Sequence, residues 1–88
     1  MKRIIFKYQL SVAGGQALTL AKGSIILACQ AQRDVITLWV ACPIVFTEYE
    51  IRRFTVVATG GTCQEDWTYI DTVQIGWTVW HVFEEPST

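Results

Sequence analysis

The chain has 88 residues, of which 51% are hydrophobic and 17% are charged, and its net charge at neutral pH is −1. This length excludes a second domain of ordinary size, which takes about 100 residues, and a barrel enzyme, which takes roughly 200 or more. The charge disfavours nucleic-acid binding, because a protein that follows a phosphate backbone carries an excess of Lys and Arg.

Apolar and polar residues alternate along most of the chain with a period of two, which is typical of β-strands. The first strand places Ile4, Phe6 and Tyr8 on one face, and Gly14-Gly15 ends it. The segment 63–67 is too polar for a core strand and is predicted to be a loop or one helical turn. In chain order the predicted strands are 2–9, 16–20, 24–32, 35–42, 49–58, 68–75 and 77–84.

Three of these strands are apolar on both faces. They are 24–32 and 35–42, joined by a hairpin turn at Gln32-Arg33-Asp34, and the last strand as far as Phe83. Pro43 cannot donate to a sheet ladder and is expected to close its strand or to lie at an edge. Strands of this kind either lie between two layers or form a surface on which subunits or a partner pack.

Short strands at a spacing near ten residues predict the fold class. We expect an all-β protein, a small antiparallel β-sandwich or barrel of six to seven strands with little or no helix, forming one domain over residues 1–88. The longest apolar run, from Val35 to Phe46, is far shorter than the roughly 20 residues of a membrane-spanning helix. A soluble protein without membrane contact is therefore expected.

Residues suited to catalysis or metal binding are few. The chain has one histidine, His81, and three cysteines, Cys29, Cys42 and Cys63, without a Cys-x-x-Cys pair. This set fits neither a zinc ribbon nor a closed disulfide framework. His81 lies in a run of strand-forming residues, and no motif places a nucleophile beside it. We predict no enzyme, no metal and no cofactor, and a Cys63–His81 pair is the catalytic alternative.

One turn suggests a ligand site. Thr59-Gly60-Gly61-Thr62 follows a strand, and consecutive glycines let backbone N–H groups converge on an anion. Arg52 and Arg53 lie in the strand that leads to this turn, but alternation sends them to opposite faces, so at most one can point into a given pocket. The alternative is a tight turn beside ordinary exposed arginines. The candidate ligand-binding residues are Arg52, Arg53, Thr59, Gly60, Gly61, Tyr69 and His81.

The chain has four tryptophans and more apolar side chains than one small core is expected to bury. An average soluble domain has about 25% charged residues, and aromatic residues are enriched in interface cores. Core packing explains one or two of the tryptophans, and the others could form a subunit contact or stack on a base. We predict a homo-oligomer with Trp39, Trp77 and Trp80 as interface residues.

Nine short segments spread over nearly the whole chain form a recognisable series. The segments are KYQL at 7–10, QALTL at 16–20, KGSIIL at 22–27, QAQ at 30–32, LWV at 38–40, RF at 53–54, TGG at 59–61, YIDTVQ at 69–74 and WHVFE at 80–84. With this series the chain resembles a family of small uncharacterised proteins found mostly in bacteriophages and prophages. The resemblance implies a phage or prophage origin and a location in the host cytoplasm, and it implies no established activity.

Together, the resemblance and the lack of catalytic motifs suggest a non-enzymatic accessory protein that counteracts a host defence system by stoichiometric binding. In one version, an oligomer encloses a small signalling nucleotide, with an arginine and the Gly60-Gly61 amides on phosphate. In the other, an apolar and aromatic surface blocks a host defence protein, such as a CRISPR effector. A further alternative is a small virion or morphogenesis protein.

Overall fold

The computed structural model describes residues 1–45 and 47–87, which form seven antiparallel strands and, within those ranges, no helix. Phe46, at the end of the apolar run 35–46, and Thr88 lie outside the described ranges. The strands are β1 (Arg3–Leu10), β2 (Gly15–Ala21), β3 (Ile25–Gln32), β4 (Val35–Pro43), β5 (Tyr49–Ala58), β6 (Thr68–Ile75) and β7 (Thr78–Glu84).

The strands form two stacked sheets. A three-stranded sheet has the order β1-β4-β3, and a four-stranded sheet has the order β2-β5-β7-β6. Every pairing is antiparallel. The prediction of a small all-β sandwich with six to seven strands is therefore confirmed, and the segment 63–67 lies in the loop between β5 and β6.

Two hairpin turns show how local sequence sets the strand ends. Arg33 and Asp34 both adopt positive φ, 50° and 62°, which is the geometry of the type I′ turn that suits the twist of a two-residue hairpin. Gly76 has φ 58° and, with Trp77, connects the paired residues Ile75 and Thr78. Because Trp77 is part of this turn, its predicted place inside the last strand was wrong, and its side chain is fully exposed.

The core lies between the sheets and is formed by the inward-facing residues of both. The central strand β4 is buried on both faces for most of its length, as its sequence predicted. Strand β3 differs, because it is an edge strand: Ile25 and Leu27 are 47% and 51% exposed. The largest fully buried side chains are Phe54, Leu20, Ile36, Leu38, Val40, Val82, Thr37 and Cys29.

The two long sides of the sandwich are different. On one side, the edge strands β3 and β6 pack against each other, and each has a register shift, at Ile26/Ala28 and at Tyr69/Asp71. On the other side, β1 and β2 leave an apolar cleft of about 420 Å³. Beside β3 and β6 there is also a cavity, of about 460 Å³, whose lining includes Arg52, Tyr69 and Glu84. The two sides therefore differ in their strand contacts and register shifts, and both have a cleft.

Candidate functional site

The glycine turn after β5 and the single histidine line one small pocket. Strand β7 lies beside β5 and pairs His81 with Val57, which places the imidazole next to the end of β5. The hydroxyl Oγ1 of Thr59 is 2.7 Å from Nε2 of His81. The pocket has a volume of about 240 Å³, and its lining includes Thr59, Gly60, Gly61, Cys63 and His81. The fold thus brings together four of the seven predicted ligand-binding residues.

Tyr69 joins this group through a chain of hydrogen bonds on the outer face of the four-stranded sheet. Its hydroxyl is 2.6 Å from Oγ1 of Thr72, which is 3.1 Å from Nδ1 of His81. Both ring nitrogens of His81 therefore contact hydroxyl groups, which can donate or accept a hydrogen bond. A histidine base is usually oriented by a carboxylate, and here a threonine hydroxyl takes that place. The geometry fits a fixed, hydrogen-bonded histidine.

The backbone of the turn uses its amides inside the fold. The amide of Thr59 donates to the carbonyl of Val79 at 3.0 Å, and the amide of Gly61 donates to the carbonyl of Ala58 at 2.9 Å. A Cβ atom on Gly61 would lie 2.5 Å from Cγ1 of Val57, so only glycine fits this close approach. Because two amides are already bonded, the turn offers few of the converging donors that an anion site needs.

The two arginines face opposite sides of β5, as alternation predicted, and neither lines the pocket. Arg52 points inward, where its Nε and Nη2 donate to the two carboxylate oxygens of Glu84 at 2.6 and 2.7 Å. Its Nη1 also donates to the carbonyl of Ser24 at 2.7 Å. The hydrogen bonds to Glu84 raise the pKa of Arg52. Arg53 is exposed on the outer face.

The tryptophans are in four different environments. Trp39 is partly buried on the outer face of the three-stranded sheet, whereas Trp80 faces inward and packs against the core. Trp77 is at the tip of the β6–β7 hairpin. Trp67 covers Phe83, with ring centroids 5.9 Å apart. Two of the three predicted interface residues, Trp39 and Trp77, thus present surface to solvent, and they lie in different parts of the fold.

The outer face of the three-stranded sheet, which we call the open face, exposes two large aliphatic side chains. Ile5, Ala41 and Ile25 form one row of this face, in which they lie opposite one another across β1, β4 and β3. Ile5 is 60% exposed and Ile25 47%. Trp39 lies in the next row. Neither isoleucine was predicted as a site residue, although Ile25 lies in the doubly apolar segment 24–42.

The open face has charge of one sign. Arg3 and Lys7 are the only charged residues in the three strands that form it. More widely, residues 1–45 contain five basic residues and one acidic residue, whereas 47–87 contain two basic and seven acidic residues. The small net charge of −1 therefore conceals a strong separation of charge along the chain.

The described ranges contain no cluster of three or more His, Cys, Asp or Glu side chains that could hold a metal ion. Among the same residues, no helix is long and apolar enough to cross a membrane.

Comparison with protein families places the whole chain in one of them. Residues 1–88 match the family described as Domain of unknown function (DUF7352), and the chain belongs to this family. Searches of the curated proteins and of the solved structures found no match. A proposal about function must therefore rest on the geometry of this chain.

Proposed function

We propose that the protein acts without catalysis, by stoichiometric binding of a partner protein through the open face. The observation that carries this proposal is the row formed by Ile5, Ala41 and Ile25, in which the two isoleucines, on the edge strands β1 and β3, are about half exposed. A contiguous apolar patch of this kind is typical of an interaction site. Trp39 beside it supplies an aromatic side chain, the type that most often dominates the binding energy of interfaces.

The charges around the open face define the chemistry of the partner. Arg3 and Lys7 flank the apolar row, and no acidic residue lies in the three strands. A complementary surface has an apolar centre and an acidic rim, because such a rim speeds encounter and excludes wrong partners. The resemblance in sequence suggests that this partner is a host defence effector, of the CRISPR type or another, which the protein would block in the host cytoplasm.

A nucleotide sponge is the second candidate, favoured by the hydrogen-bonded group Thr59, His81, Thr72 and Tyr69 beside the glycine turn. Three features favour the protein partner over it. The pocket volume of about 240 Å³ lies below the roughly 300 Å³ at which ligand pockets begin. Arg52 is bound to Glu84, and two turn amides are bonded within the fold.

A matched pair of substitutions tests the proposal. Ile25→Asp places a carboxylate on the open face, and Ile51→Asp places one on the outer face of the other sheet, where Ile51 is 60% exposed. Both variants are produced with the wild type in cells that carry a panel of defence systems. Restored plating of a phage that one system blocks then reports activity.

We expect the wild type and Ile51→Asp to restore plating and to copurify with a component of that system in a fixed ratio by native mass spectrometry. Ile25→Asp is expected to lose both properties while keeping the wild-type thermal midpoint to within a few degrees. Equal activity of the two variants would contradict a role for the open face. A nucleotide that the purified protein releases into a protein-free filtrate on heating, and that activates the defence system, would instead favour the sponge, because a sponge carries its signal in bound form.

A further inference from the structure

The edge strands on the two sides of the sandwich differ in regularity: β3 and β6 have register shifts, whereas β1 and β2 have none. An unprotected edge offers a row of free backbone donors and acceptors to another strand, and bulges are one common protection. Strands β3 and β6 each have a register shift and pack against each other. Strand β1 is paired with β4 over all eight of its residues without any shift. It is a long, regular edge with one side free.

Lys7, the lysine of β1, does not protect this edge against pairing. A lysine on an edge strand usually discourages pairing, because its charge would have to be covered. Here Nζ of Lys7 donates a hydrogen bond of 2.8 Å to Oε1 of Gln32. Gln32 belongs to β3, on the far side of the central strand. The ammonium group is therefore drawn across the outer face and away from the free edge.

The inward side chains of β1 are also incompletely covered. Ile4 and Phe6 lie on the same face as the buried Leu10, yet they are 44% and 47% exposed because the cleft beside β1 is open. A strand added along the free edge of β1 would extend the three-stranded sheet. Its own inward side chains would then cover this apolar cleft.

We propose that the added strand is β1 of a second copy of this chain, paired antiparallel across a two-fold axis. Two three-stranded sheets would then form one continuous six-stranded sheet, and the two open faces would lie side by side. The contact is isologous, so it closes at a dimer and leaves no free β1 edge for further growth. This inference concerns a different surface from the proposed partner site and does not depend on it.

The charges on β1 exclude two of the three registers that are centred nearest the middle of the strand. Residues directly opposite in an antiparallel pair share a face, so a continuous sandwich needs a two-fold axis that passes through a residue. An axis at Ile5 would place Arg3 opposite Lys7 of the other copy, and an axis at Lys7 would place the two lysines opposite each other. Like charges directly opposite are destabilising. An axis at Phe6 avoids both conflicts.

The register centred on Phe6 also makes favourable pairs on both faces. On the inner face, the two Phe6 rings meet, and Ile4 lies opposite Tyr8 of the other copy. These contacts would cover the half-exposed side chains of Ile4 and Phe6 in both copies. On the outer face, Ile5 lies opposite Lys7, and Arg3 lies opposite Gln9. Aromatic pairs and pairs between aromatic and aliphatic residues are among the favourable cross-strand contacts.

Disulfide formation between single cysteines introduced into β1 tests this register directly. Opposite residues have Cα atoms about 4.5–5.5 Å apart, which is within reach of a disulfide, and diagonal neighbours are about 7–8 Å apart. Cys63 is the exposed thiol, so it is first changed to Ser, while Cys29 and Cys42 are buried. Ile5→Cys, Phe6→Cys and Lys7→Cys are then made separately in the full-length chain and oxidised under mild conditions.

We expect Phe6→Cys to form a covalent dimer at least about tenfold faster than either neighbour, because only residue 6 lies on the axis. The wild type is expected to sediment as a dimer at about 100 µM, and Phe6→Asp as a folded monomer, because it would oppose two carboxylates. Ile51→Asp, the control on the other sheet, is expected to remain a dimer.

A wild-type chain that sediments as a monomer at that concentration overturns the proposal. Faster crosslinking at residue 5 or 7 also overturns it, because the axis would then lie elsewhere. A foreign peptide that copurifies on a monomer would assign the edge to a peptide ligand instead. Loss of the dimer in Phe6→Asp with retained partner binding would show that the two surfaces act separately.

Discussion

Arg52 is expected to stabilise the sandwich and to play no part in ligand binding, and its neighbour in sequence provides the control. Arg52→Ala removes the inward guanidinium, and Arg53→Ala removes the exposed one from the same strand. The guanidinium of Arg52 connects the two sheets, because Glu84 belongs to β7 and Ser24 directly precedes β3. Its removal leaves the carboxylate of Glu84 without its partner at a partly buried position.

The size of the effect follows from burial. The side chains of Arg52 and Glu84 are 17% and 21% exposed. Removing one partner of a fully buried pair costs about 3–5 kcal/mol, so this slightly exposed pair is expected to lose about 2–4 kcal/mol. Each kcal/mol lowers the thermal midpoint of a domain of this size by about 4–8 °C. Arg53→Ala, at an exposed position, is expected to stay within about 0.5 kcal/mol of the wild type.

Urea unfolding is measured for both variants, for Glu84→Ala and for the double variant of Arg52 and Glu84. These measurements give the free energies of unfolding and the coupling energy between Arg52 and Glu84. We expect a coupling of about 1–3 kcal/mol, the range found for groups that share one hydrogen-bonded network. If Arg52→Ala unfolds at the same urea concentration as Arg53→Ala, the structural role assigned to Arg52 is refuted. Its predicted role in ligand binding would then be open again.

Two further predictions concern the core and the glycine turn. Burial raises the pKa of the Cys29 thiol from its ordinary value of 9.0 to about 11. Between pH 9 and 11 the unfolded chain therefore releases a proton that the folded chain keeps, and the free energy of unfolding should fall by about 3 kcal/mol across this window. Cys29→Ala, though less stable at pH 7, should lack this fall in urea titrations, and an unchanged pH dependence would contradict the assignment. Gly61→Ala should lose about 1–3 kcal/mol because its Cβ would collide with Val57, whereas Gly15→Ala, with contacts of 3.6 Å or more, should stay near the wild type in the same urea assay.

The fold could be predicted from sequence because its dominant signal is local. Alternation along each strand depends only on neighbouring residues, and it gave the all-β class, the strand count and the opposite directions of Arg52 and Arg53. The Arg33-Asp34 turn was found in the same way. Trp77 was placed in the last strand because the sequence marks a turn only at Gly76, whereas the hairpin uses two residues, Gly76 and Trp77, between the paired Ile75 and Thr78.

The candidate site could be predicted only in part, because it depends on pairing between strands. The glycine turn was visible in sequence, and β7 then brings His81 to it. No pattern indicated that Glu84, 32 residues away, would bind Arg52. The open face was also missed at the level of residues, because Ile5 and Ile25 become neighbours only when β1 and β3 pair with the two edges of β4.

The affinity of the Ile25→Asp variant for the captured partner, relative to that of Ile51→Asp, tests the role of the open face most directly. Ile25→Asp removes about 1 kcal/mol of apolar burial, since roughly half of the side chain remains to be buried. It also places a carboxylate in the centre of the contact, at a further cost of about 1–3 kcal/mol. Titration calorimetry with the purified partner should therefore show a one-to-one complex that Ile25→Asp weakens about 30-fold or more, while Ile51→Asp binds like the wild type. Equal dissociation constants for the two variants would contradict the assignment of the binding surface to the three-stranded sheet.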